Sequence, residues 1–344
     1  MNRFAMVVPS NVQEAARAST TLVADAMTRA EAAGDMNDAA VLMAGGVDLL
    51  DLMKEGLLAP GKVVTLRRIS GLDAIVDGEA GGIRIGAMAT LAQLAEHPVL
   101  RKNYAALSEA AGGSASPQIR HAATLGGNLL QRPRCWYFRA AEFHCLRKGG
   151  GHCFATSGES QYHAIFNNHP CAIVHPSTIA TPLVALGATV ELTDAQGTVR
   201  RVLLENFFTG PEQDLQRENE LKPQEILTAV HLPAMTSSVR MAHLKQGEKD
   251  SFDWPLADVA VLLDMVADGT CKRATVILGA AAPVPHRARA AEAMLVGQHI
   301  DEATARAAAR AALEGATPLS KNTYKLPLFE TLVRRTLIKA MTST

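Results

Sequence analysis

The 344-residue chain has only five cysteines, and no two of them form a CxxC pair. Five cysteines in a chain this long do not make a disulfide framework. Net charge is also lacking: 34 basic side chains balance 34 acidic ones, which removes the electrostatic argument for nucleic acid or an acidic membrane surface. No apolar run approaches the roughly 18–20 residues needed to cross a bilayer. The opening "MNRFAMVVPS" has one arginine and a short apolar stretch broken at Pro9, which does not read as a secretory signal. The expected location is therefore cytoplasmic, or periplasmic by co-export with a signal-bearing partner. GxGxxG in a strand–helix context, HExxH, a nucleophile-turn serine and a phosphate-binding lysine loop are all missing. Any chemistry then belongs to bound cofactors, and the sequence gives no sign of a Rossmann nucleotide site.

What is present reads as an α+β protein of more than one domain. Apolar residues make up 48% and charged residues 20%, as in a soluble globular chain too long for one ordinary core. Residues 11–33 read as helix behind a Ser10–Asn11 cap. "AAVLMAGGVDLLDLMKEGLL" reads as a short strand over residues 41–43, a glycine turn and an amphipathic helix. "GKVVTLRRI" and "GGIRIGAMATLAQL" read as strands, the second leading into a helix capped near Thr90. "NYAALSEAAGGSA" is helix ending at Gly112–Gly113, and "ATLGGNLL" a strand or turn. Further on come helix, strand, a Gly197 turn and strand in "TPLVALGATVELTDAQGTVRRVLL", then the strand "EILTAVHLP". "AMTSSVRM" is the expected linker. Beyond it, two strands meet at the Asp268–Gly269 turn and three helices follow. This gives a domain over 1–235, with lobes of about 1–60 and 61–235, and a smaller α+β domain over 238–344.

"AGGVD", "IGAMAT" and "TLGGN" share a pattern. Paired glycines let backbone amides approach an anion without an intervening Cβ, and a following helix adds its positive end. Each alone is more often structural than functional. Together, "AGGVDLL", "IGAMATLAQL", "SASPQIRHAATLGGNL" and "HPSTIATPLVALGATVEL", with "DWPLADVAVLL", "LGAAAPVPHRARAAEAMLVG" and "NTYKLPLFETLVRRTL", resemble the FAD-binding medium subunits of the molybdenum hydroxylases. This is the family of xanthine dehydrogenase and carbon monoxide dehydrogenase. The resemblance spans nearly the whole chain. It implies a two-lobed FAD-binding domain of the vanillyl-alcohol oxidase and molybdenum hydroxylase type.

It also implies that Ala44, Gly45, Gly46, Val47 and Asp48, flanked by Met43 and Leu49, bracket one side of the FAD diphosphate. Thr124, Gly126, Gly127 and Asn128 would form the other side. Leu227 and Lys245 match positions near the flavin ring, where a cation stabilises a reduced, anionic flavin; a solvated surface role for Lys245 is an equal alternative. The sequence departs from the family at Thr178, where relatives carry an acidic residue that binds a flavin hydroxyl, and at Val47, which replaces a more polar residue.

Four of the five cysteines fall in residues 131–176, with five of the eleven histidines. Cys135, Cys145, Cys153 and Cys171 can hold a tetrahedral zinc or a cuboidal iron–sulfur cluster. Wide spacing in a loop containing Gly149, Gly150 and Gly151 slightly favours the larger cluster. "RCWYFRAAEFHCLRKGG" and "YHAIF" resemble an insertion in flavin subunits of the periplasmic aldehyde oxidoreductase type; 4-hydroxybenzoyl-CoA reductases carry one of similar role. This implies a 4Fe–4S cluster on the four cysteines. Arg134, Arg139, Arg147 and Lys148 would offset its charge, and Trp136, Tyr137 and Phe138 would exclude water. Among His144, His152, His163, His169 and His175, one is expected to tune a sulfur by hydrogen bonding. Cys271 reads as an ordinary strand residue.

The implied function is electron transfer within a heterotrimer. A large subunit would hold a molybdenum–pterin cofactor and oxidise an aldehyde, and a small subunit with 2Fe–2S clusters would feed the FAD here. An external acceptor would then take the electrons. The rival readings are a self-contained FAD oxidoreductase with a structural zinc loop, and a zinc-stapled scaffold that has lost FAD.

Overall fold

The computed structural model describes residues 1–33, 38–249 and 251–342. Among the described residues, twelve strands form three sheets. Strands β1 (Ala5–Val7), β2 (Ala40–Met43) and β3 (Lys62–Thr65) make a parallel sheet in the order β1-β3-β2. The central strand of this first lobe thus lies just past residue 60. The helix expected over residues 11–33 is two, Val12–Ala18 and Val23–Ala33. Asn11 caps the first by accepting from Glu14 N, and the break lets Thr21 N donate to Ala40 O at the foot of β2.

The second lobe is built on five strands: β4 (Ile75–Asp77), β5 (Ile83–Gly86), β6 (Thr189–Thr193), β7 (Val199–Leu203) and β8 (Ile226–Leu232). They run antiparallel in the order β4-β5-β8-β6-β7. Ile83, Ile85, Val190, Leu192, Val230 and Leu232 alternate onto one buried face and pack on the helices Leu91–Glu96, Ala105–Gly112 and Ala180–Ala185. The Leu91–Glu96 helix opens on a reciprocal Thr90–Gln93 capping box.

The C-terminal domain has four antiparallel strands, β9 (Val239–Gln246), β10 (Ala257–Met265), β11 (Cys271–Gly279) and β12 (His286–Arg287). Helices Arg289–Leu295, Glu302–Ala311 and Lys325–Thr342 cover the sheet around Val259, Val261, Val276 and Leu278. Strand β9 begins inside the stretch expected to be linker, because Val239 and Met241 pair with Asp264 and Leu262 of β10. Cys271 is buried in β11, as an ordinary strand residue.

Residues 131–176 form a largely irregular segment lodged between these units. Phe138 and Cys145 join the core of the first lobe, whereas Ile165 and Phe166 join that of the C-terminal domain. Backbone bonds from Ile165 N and His175 N to Ala281 O and Ala282 O, and from Thr317 N to Ile165 O, fix the far end.

A flavin-sized cleft beside a cysteine cavity

The glycine turns line a cleft of about 570 Å³, within the roughly 300–1,000 Å³ of cofactor pockets. One turn joins β2 to the helix Val47–Lys54. Gly45 presses so closely on its neighbour that a Cβ would lie 1.9 Å from Ala122 O. Gly46 caps the helix at φ 82°, with no side chain to accept the first-turn amides. Those amides have no acceptor within a helix, so they stay available to an anion in the cleft.

The second turn is not the expected strand or loop but a short helix, Leu125–Leu129. Its amides are already used: Leu125 N donates to Ala89 O, Gly126 N to Ala87 O, Asn128 N to Thr124 O, and Gly127 N to Thr124 Oγ1 at 3.2 Å. This side therefore offers side chains: the Thr124 hydroxyl hydrogen and the Asn128 amide nitrogen. The Asn128 carbonyl oxygen is taken by Ser177 Oγ at 2.6 Å. The two sides meet where a Gly127 Cβ would lie 3.6 Å from Ala44 Cβ.

Ala44, Gly45, Gly46, Val47, Asp48, Leu49, Thr124, Gly126, Gly127, Asn128, Thr178, Leu227 and Lys245 all line this cleft. Met43 does not: it ends β2, accepts from Leu66 N, and sets its sulfur behind Gly46. Asp48 carries its negative charge away from an incoming anion. Its carboxylate accepts from Arg132 N at 2.8 Å, Arg134 Nη2 at 2.8 Å and Arg139 Nη2 at 2.6 Å. Lys245 reaches in from β9 and donates to Gly113 O at 2.9 Å and Asp253 O at 2.7 Å. The side chain is half-buried at the cleft, and burial lowers its pKa.

Several lining residues escaped sequence reasoning. Ser114 to Ser116 border the cleft through a turn in which Ala115 has φ 48°. Gln131, Arg132, Arg134 and Glu218 also line it, and Trp254 lies over the Arg134 guanidinium at 4.9 Å. The adjacent arginines of "QRPR" were the available signal.

The four clustered cysteines converge on one small cavity with Tyr137, Phe138, Arg147, Phe154 and His163. No three His, Cys, Asp or Glu among the described residues are arranged to hold a single metal ion. Backbone amides are directed at each sulfur: Phe138 and Tyr137 at Cys135, Lys148 and Arg147 at Cys145, Ala172 and Ala155 at Cys153, and Ile173 at Cys171. Amide donation to sulfur favours thiolates and tunes cluster potentials. The turn that aims the Arg147 and Lys148 amides at Cys145 needs Gly150, whose Cβ would lie 1.8 Å from His144 O.

Electrostatically the cavity is divided. Burial pushes the Cys135 thiol up to about 12 and raises Cys145. Cys171 hydrogen-bonds to Cys153, which raises Cys171 and holds Cys153 down at about 6. His163 Nε2 lies 3.2 Å from Cys135 Sγ, so it is the histidine placed to tune a sulfur. Burial lowers its pKa to about 4, keeping the ring neutral near pH 7. Of the expected cations, Arg147 adjoins Cys171 and Lys148 acts on Cys145. Arg134 and Arg139 do not serve this role: they are drawn to Asp48, Asp51 and Glu55. Tyr137 and Phe138 close the cavity, while Trp136 packs edge-on between Tyr162 and His163.

Residues 2–235 match the FAD binding domain in molybdopterin dehydrogenase, and residues 242–340 match the CO dehydrogenase flavoprotein C-terminal domain. The chain belongs to the FAD-binding subunits of the molybdenum hydroxylases. It is 35% identical over 304 residues to the aldehyde oxidoreductase FAD-binding subunit PaoB of Escherichia coli (strain K12), covering 88% of this chain and 90% of that one. A solved carbon monoxide dehydrogenase from Hydrogenophaga pseudoflava superimposes with a TM-score of 0.72 at 25% identity, over 99% of this chain and 98% of that chain. The reconstituted CO dehydrogenase from Oligotropha carboxidovorans shares the fold with a TM-score of 0.75 at 23% identity, over 100% and 99% of the two chains. As in its family, the chain is a flavoprotein subunit of a multi-subunit molybdenum-containing oxidoreductase.

Proposed function

We propose that the chain is the electron-transfer subunit of a molybdenum-containing aldehyde oxidoreductase and carries a 4Fe–4S cluster besides FAD. The supporting observation is the convergence of Cys135, Cys145, Cys153 and Cys171 on one cavity, each sulfur met by backbone amides. The donor set fits a cluster: four sulfurs, a neutral His163 at Cys135, and a buried Arg147 at Cys171. The likeness to an aldehyde oxidoreductase subunit supports the substrate class.

Bound FAD exchanges electrons singly or in pairs, which suits a junction between one-electron clusters and an external acceptor. The residues of this chain hold and orient it. First-turn amides behind Gly46 would receive the diphosphate, Thr124 and Asn128 would donate from the opposite side, and Thr178 would supply a hydrogen-bonding hydroxyl to the flavin. Lys245 sets positive charge near the ring. Partners are a molybdenum-cofactor large subunit and a small subunit with 2Fe–2S clusters.

The test is iron, zinc and acid-labile sulfide per chain in anaerobically purified protein, with visible spectra before and after dithionite. About four iron and four sulfide with bleachable flavin bands are expected. One zinc without sulfide would overturn the cluster and make the cysteine segment a zinc loop.

A further inference from the structure

The cleft and the cysteine cavity are joined by a buried charge bridge. Arg132 lines the cleft and Arg147 the cavity, and both are buried. Between them stands Glu218, itself 8% exposed. Its Oε2 lies 3.2 Å from Arg132 Nη1, and its Oε1 accepts from Arg147 Nη1 at 2.6 Å. Gln216 O fixes Arg132 Nη1 from another side at 3.0 Å. Arg132 Cζ sits 5.0 Å above the ring of Phe138, a ring that lines the cysteine cavity.

Beyond this bridge the guanidinium nitrogens are poorly satisfied. Arg132 Nε, Arg147 Nε and Arg147 Nη2 are buried without a hydrogen-bond partner, although Arg147 also adjoins the Cys171 sulfur. Such a triad is a weak device for stability, because the desolvation of three charges offsets their attraction. It is a strong device for electrostatics, because charges in a dry wall are little screened.

We propose that Glu218 is a positioning residue that couples the two redox sites, holding Arg147 against Cys171 and Arg132 at the flavin cleft with one carboxylate. The inference rests on the cysteine cavity's holding an iron–sulfur cluster. A carboxylate in the shared wall disfavours added negative charge at either site. Its neutralisation therefore favours the reduced form of both groups. Conversely, removing the cation on the flavin side leaves Glu218 less compensated and disfavours reduction at the cysteine site.

The experiment uses the full chain, purified anaerobically with its cofactors, and compares wild type with Glu218→Gln, Glu218→Asp and Arg132→Met. Iron, sulfide and flavin are counted, and both midpoint potentials are measured by spectroelectrochemical titration. Glu218→Gln should retain iron and raise the cluster's reduced-to-oxidised ratio about tenfold at fixed applied potential, a shift of about 59 mV for one electron. The flavin potential should move in the same direction, and Glu218→Asp should stay close to wild type. Arg132→Met, which removes the cation on the cleft side of the bridge, should lower the cluster potential. If Glu218→Gln sheds its iron, Arg132→Met decides: a downward shift supports the coupling and an unchanged potential overturns it. Unchanged potentials in iron-loaded Glu218→Gln overturn the coupling alone. A wild-type chain without iron and sulfide overturns the cluster reading, and the coupling with it.

Discussion

The flavin cleft and the cysteine cavity lie side by side but are made of different material. The cleft is large, and one of its walls is made largely of backbone, with glycine placed where a Cβ would collide and amides left free at a helix start, while the facing wall offers side chains. The cavity is closed and lined by side chains; backbone serves there to aim amides at sulfur. A backbone-built site is present before its ligand arrives. A site built from four thiols, three of them raised in pKa, favours protons until a metal displaces them.

The sharpest way to break this comparison is Gly45→Ala. Its methyl would meet Ala122 O at 1.9 Å, so the turn must move. Destabilisation of about 3 kcal/mol or more is expected, with loss of bound flavin, read by urea unfolding and flavin absorbance. Retention of full flavin would show that the turn is not the rigid wall described.

Single Cys→Ala variants at Cys135, Cys145, Cys153 and Cys171 come next. Each should lose most of the iron while keeping the flavin-to-protein ratio, whereas Cys271→Ala should keep both. Equal loss of flavin and iron in the four would mean that the two regions form one site rather than two neighbours.

Lys245→Met removes charge-assisted donation to Gly113 O and Asp253 O. An expected cost of about 1–2 kcal/mol, discounted for its partial exposure, should appear as earlier thermal unfolding. The smallest effect is assigned to Thr178→Val. Loss of one neutral hydrogen bond should weaken FAD binding by about fivefold, roughly 1 kcal/mol, when the flavin-free chain is titrated with FAD.

The contrast also governs what the sequence made legible. The glycine turns announce themselves because only glycine tolerates the approach at Gly45 or the φ at Gly46. The four cysteines announce themselves by clustering. Residues such as Ser177 and Glu218 carry no such mark, since a serine or a carboxylate becomes functional only through what the fold sets opposite it. The same limit explains the arginines. Arg134 and Arg139 sit beside cysteines in sequence, yet three carboxylates on the helix Val47–Lys54 and its end claim them in space. Strand β9 is masked because it starts directly behind the polar residues 236–238 and mixes Arg240, His243, Lys245 and Gln246 with its apolar residues, and the break after Ser19 because alanine and threonine continue across it.

Residues 131–176 contribute Phe138 and Cys145 to one hydrophobic core and Ile165 and Phe166 to another. The segment is thus a keystone between two bodies rather than an appendage on one. Oxidative scrambling of its thiols would loosen both neighbours together and expose the chain to proteolysis on either side.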